Sequence, residues 1–133
     1  MREVSFEENL RAIKECLMDY SGPIYIQGII NNLEALSLTT IYANMPKEHL
    51  IILNNEYPEW LKRVMDNKDK KNVLLIKDFD KISLEDQALF LDIICRNTVS
   101  SVTLPENLKI IINSENSCEL IPEISDIIQY FEM

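Results

Sequence analysis

Apolar residues near the start of the chain recur at helical spacing. Phe6, Leu10, Ile13 and Leu17 follow at intervals of 4, 3 and 4, which puts them on one helix stripe. Ser5 and Glu8 form a capping box ahead of it, and Ser21-Gly22-Pro23 ends it. Ile24–Gln27 (IYIQ) then reads as a short strand leading into Gly28. From about Asn32 to Ala43, Leu33, Leu36, Thr40 and Ile41 predict a helix, weakened by the β-branched run Thr39, Thr40, Ile41. Leu50–Leu53 predicts a buried strand. Asn55 and Pro58 open a helix to about Asn67, burying Trp60 or Leu61 with Val64 and Met65. After the polar loop Asn67–Asn72, Val73–Ile76 is the clearest core strand. Ser83 and Asp86 cap a helix to about Arg96 that buries Leu84, Ala88, Leu91 and Cys95 or Ile94. Val99–Leu104 predicts a small hairpin or extended segment. Pro105 precedes a core strand at Leu108–Ile112, Ile121–Glu123 a turn or short helix, and Ile127–Phe131 the last strand.

Unbroken apolar strands alternating with amphipathic helices imply a parallel sheet covered on both faces. The expected fold is therefore α/β: a three-layer α-β-α sandwich around a mainly parallel five-stranded sheet. Residues 1–133 read as one domain, with no internal repeat and no low-complexity linker.

Composition sharpens this picture. Only Gly22 and Gly28 are glycines, where average usage would give about nine. Phosphate loops need glycine so that backbone N–H groups can crowd around the ligand. Neither GxGxxG nor GxxxxGK[ST] occurs. The net charge is −9, against the basic face that a nucleic-acid binder needs. No Lys or Arg follows Lys109, while Glu115, Glu119, Glu123, Asp126 and Glu132 do. Such a segment is a solvated surface or a docking face for a basic partner. Cys16, Cys95 and Cys118 are far apart and His49 stands alone, so neither a metal site nor a disulfide framework is expected. Free thiols and a charged N-terminus (MREVSFEEN) give a cytoplasmic expectation with no membrane association.

In an open parallel sheet, ligands bind at the carboxyl ends of the strands. At those ends the chain resembles the α/β core of AAA+ ATPases. LLIKDFDKISLEDQALFLDII is similar to that family's Walker B strand and following helix, as found in enhancer-binding activators, MoxR-type proteins and clamp-loader subunits. LPENLKIIINSEN is similar to its sensor strand. The resemblance runs from about Ser5 to Met133 and implies a P-loop NTPase-like fold.

The residues that the family uses for chemistry are replaced here. Gly28 matches the first glycine of the phosphate loop. Asn31 and Leu33 stand where other glycines belong, with Asn32 between them. Glu34 takes the place of the Walker A lysine, and Ala35 that of the magnesium-binding Ser or Thr. Lys77 takes the place of the Walker B aspartate and Asp78 that of the catalytic glutamate. Sliding the register by one puts Asp78 on the aspartate and Phe79 on the glutamate, so neither register gives Asp-Glu. Two unit charges ~4 Å apart interact by about 4 kcal/mol at an effective dielectric of ~20, so each reversal turns attraction into repulsion of that order. Asn113 or Ser114 would be the sensor remnant. No arginine follows Arg96 to act as a finger, and no helical lid is expected within these residues.

Glu34 and Lys77 are complementary reversals. They either pair in the space of the lost nucleotide or face water separately. Asp78 and Asp80 lie at i, i+2 and form a metal or acid-base pair or cap the turn into the helix at Ser83. Trp60 is core or a groove wall, or else a partner anchor, and His49 a surface-loop residue.

The resemblance therefore implies a catalytically inactive AAA+-like domain without cofactor or metal. It would act as an interaction, adaptor or regulatory module on a protein partner, an active AAA+ ATPase or a second copy of itself. The alternatives are a divergent nucleotide-binding regulator and a clamp-loader-like subunit.

Overall fold

The computed structural model describes residue 8 and residues 11–15, 22–29, 39–67 and 72–132. Residues 11–15 are helical, with Ile13 fully buried.

Among the described residues, five strands build the main sheet: β1 (Ile24–Gln27), β2 (Thr39–Tyr42), β3 (Asn72–Lys77), β6 (Leu108–Ser114) and β7 (Gln129–Glu132). Their spatial order is β2-β3-β6-β1-β7, and every pairing is parallel. A separate two-stranded hairpin joins β4 (Thr98–Val99) to β5 (Val102–Thr103) through Ser100 and Ser101, both at positive φ.

Side chains alternate across the sheet. Tyr25, Ile41, Leu74, Ile76, Ile110 and Ile112 form one face. Packed with them in the core cluster are Trp60, Leu61 and Val64 of α1 (Glu59–Asp66). Phe90, Ile93 and Ile94 from the helical stretch α2 (Leu84–Gln87) to α3 (Leu91–Arg96) join the same cluster, as does Ile124 of α4 (Pro122–Ser125). On the opposite face, Ile24, Ile26, Val73, Leu75 and Ile111 are equally buried. Both faces are therefore covered, as in a three-layer α/β sandwich.

Three sequence expectations change. The helix expected over Asn32–Ala43 gives way at its end to β2. Thr39, Thr40 and Ile41 are branched at Cβ and stiff at χ1, and they pack better on a pleated surface than in a helical turn. Its earlier part, residues 31–38, lies outside the described residues.

The strand expected at Leu50–Leu53 does not form. Lys47–Leu50 is a 3₁₀ turn, and Leu53 makes a single antiparallel bridge to Glu56. Asn54 and Asn55 both take positive φ and turn the chain too sharply for a strand. Ile51 and Leu53 are 42% and 55% exposed, while Leu50 and the half-buried Ile52 pack on the core cluster, so the run buries one side without pairing in the sheet.

The helix expected over residues 83–96 is present but tightens to a 3₁₀ turn at Ala88–Phe90. Its buried side is also rotated. Leu84 and Ala88 are exposed, Cys95 is exposed, and Gln87, Phe90, Ile93 and Ile94 are inside. Gln87 accepts burial because its amide is satisfied: Nε2 donates to the Glu119 carbonyl at 2.8 Å, and Oε1 accepts from Ile121 N–H at 3.0 Å.

Candidate functional site

β1, β6 and β3 lie side by side, so their carboxyl ends form one edge. Gly28, Lys77, Asp78, Asn113 and Ser114 all lie on this edge, and hydrogen bonds join it across the strands.

Gly28 follows β1 directly, with φ near 140°, a backbone that disfavours any residue bearing Cβ. Its N–H donates to the Ser114 carbonyl at 2.8 Å. Asn113 is 4% exposed, and its Nδ2 donates to the carbonyls of Ile26 at 2.9 Å and Gly28 at 3.3 Å. The Asn113 amide is thus committed to the backbone at the end of β1. These bonds tie the end of β6 to the end of β1.

The end of β3 is shaped by Phe79. Its ring is fully buried and meets Phe90 edge-on at 5.8 Å between centroids. Asp78 precedes it in the left-handed region, φ 61° and ψ 34°, which Asp tolerates better than most residues. The Asp78 carboxylate pairs with Lys81 Nζ at 3.3 Å. Asp80 turns the other way, and its Oδ2 accepts from Asn116 N–H at 3.1 Å and from Asn116 Nδ2 at 3.4 Å. The expectation that these carboxylates cap the turn before Ser83 is corrected: Asp78 stands at the N-cap of the 3₁₀ turn Phe79–Lys81 without a side-chain cap bond, and Asp80 ties the loop after β3 to the loop after β6. Ser83 caps the following helix, as its spacing to Asp86 predicts, with its Oγ accepting from Asp86 N–H at 3.1 Å.

Lys77 is half-buried at the end of β3. It follows the Ile76–Ile112 register pair, as Asn113 does on β6, so both belong to the same side of the sheet. Asn31, Asn32, Glu34 and Ala35 lie outside the described residues, and with them the expected pairing of Glu34 with Lys77. Trp60 is buried in the core cluster, its Nε1 donating to the His49 carbonyl at 2.6 Å, so it is not an exposed anchor. The His49 residue itself is exposed, in the 3₁₀ turn.

A second polar cluster was not anticipated from sequence. On the sheet side opposite Asn113, Tyr25 OH lies 3.3 Å from Cys118 Sγ, which is 3.6 Å from Ser114 Oγ. Burial first, then the contact with Cys118, raises the Tyr25 pKa well above the usual tyrosine value. The Tyr25 ring stacks on Tyr130 of β7 at 5.5 Å, and Tyr130 OH donates to Gln27 Oε1 at 2.7 Å. Burial and then the neighbouring Glu132 carboxylate push the Tyr130 hydroxyl upward as well. The available sequence signal was the alternation Ile24, Tyr25, Ile26, Gln27, which sends Tyr25 and Gln27 to one side.

No family model matches this chain, and no curated protein matches it significantly in sequence. Among the described residues, no helix is long and apolar enough to cross a membrane.

Proposed function

We propose that this chain is a catalytically inactive AAA+-like domain that works as a protein-interaction or regulatory module, without ATP hydrolysis. The observation that carries this reading is the state of the shared carboxyl edge. A phosphate-magnesium site needs a free polar sensor and acidic metal ligands where these strands end. Here the sensor-position amide of Asn113 is spent on the Ile26 and Gly28 carbonyls. Asp78 is engaged by Lys81, and a lysine, Lys77, stands at the Walker B aspartate position. The adjacency of β1, β6 and β3 supports the resemblance itself, because a nucleotide site built from all three strand ends requires them to be neighbours.

Thermal unfolding with and without Mg-ATP tests the reading. A site of about 10 μM affinity would add about 2.7 kcal/mol at 1 mM ligand. An unchanged Tm is expected, with no phosphate release. A rise of several degrees that saturates with Mg-ATP would overturn the proposal.

A further inference from the structure

We propose that the outer edge of β7 takes up an arginine-bearing extended segment of a partner protein as an added strand. The inference rests on the interaction-module reading only in requiring a protein partner.

β7 is the last strand of the sheet among the described residues, and Gln129, Tyr130 and Glu132 are exposed. The direction of its backbone groups follows from one bond. Gln129 N–H donates inward to the Pro23 carbonyl at 3.0 Å. N–H and C=O of a strand residue point the same way, and successive residues alternate. Phe131 therefore also turns towards β1, and Tyr130 and Glu132 present N–H and C=O outward. An extended peptide pairs with such an edge through main-chain hydrogen bonds.

Charge selects the occupant. Glu115, Glu119, Glu123, Asp126 and Glu132 are all exposed, and no Lys or Arg occurs after Lys109. A second copy would bring the same carboxylates to its own β7 and be repelled, whereas a basic strand is attracted.

The preference for arginine comes from Tyr130 and Glu132, which share one side of the strand. One face of the Tyr130 ring rests on Tyr25, the hydroxyl is held by Gln27, and the side chain is still 46% exposed. The ring is thus fixed in place with area left for a guanidinium, which binds an aromatic face and a carboxylate together.

The test uses the whole chain and a ten-residue peptide of alternating arginine and threonine, with an alternating glutamate-threonine peptide as control. Binding and amide exchange are followed in ¹H–¹⁵N spectra. The expected result is saturable, salt-weakened binding of the arginine peptide that protects the Tyr130 and Glu132 amides, with none for the control. Glu132→Lys should weaken binding about fivefold and Tyr130→Leu about threefold. Glu132→Gln, which keeps the shape, should show an intermediate loss. Three results would overturn the proposal: no saturable binding, equal binding of both peptides, or protection at another surface, such as the groove between Leu50, Leu89, Ile93 and Val99. Mg-ATP binding would remove the inactive-domain reading and leave this surface standing, and a failed peptide titration would do the reverse.

Discussion

Asn113 shows how a polar residue at the end of a strand can be structural. Its buried amide bonds the Ile26 and Gly28 carbonyls, so its loss removes two hydrogen bonds between the ends of β6 and β1. Asn113→Ala should destabilise the protein by about 1–3 kcal/mol, read as a lower urea midpoint with unchanged slope. A change of less than about 0.5 kcal/mol would mean that the amide is idle and remains available to a ligand. The sequence showed a polar residue at a strand end and no more. Which carbonyls it serves depends on β1 lying beside β6, across more than eighty intervening residues, and local pattern carries no such information. Trp60 was equally undecided from sequence. A tryptophan on a helix reads as core or anchor until its indole N–H is seen bonded inside, to the His49 carbonyl.

At the scale of elements, the legible ones carried a local signal. Val73–Ile76 is apolar and bounded by charge, and β3 covers it. Ser83 with Asp86 is a capping pattern, and the Ser83 hydroxyl accepts the Asp86 N–H. Ser83→Ala should therefore cost about 1 kcal/mol, measured by chemical denaturation, and Ser83→Asp should restore most of it. An Ala variant as stable as the parent would show that the tertiary contacts of Phe90, Ile93 and Ile94 alone hold this helical stretch.

The misread elements had competing signals. Thr39–Tyr42 carried apolar spacing suited to a helix and branched side chains suited to a strand. Pairing with β3 decided between them. Leu50–Leu53 had strand composition, but two successive asparagines at positive φ turned the chain away from the sheet.

For the whole molecule, the layered α/β fold was readable because strands buried on both faces are continuously apolar. Their spatial order was not readable, since order is set by which helices pack on which face. That order gives the candidate site its meaning. It gathers Gly28, Lys77, Asp78, Asn113 and Ser114 from three distant segments onto one edge, and among the described residues it leaves β7 outermost, next in sequence to the most acidic stretch of the chain.

Under the proposed reading, this edge is closed structure and holds no nucleotide. Residue-resolved ¹H–¹⁵N spectra recorded as Mg-ATP rises to about 5 mM, some five hundred times a 10 μM dissociation constant, test it most directly. The account predicts that the amides of Gly28, Lys77, Asp78, Asn113 and Ser114 do not move. Progressive, saturable shifts centred on those five residues would contradict it.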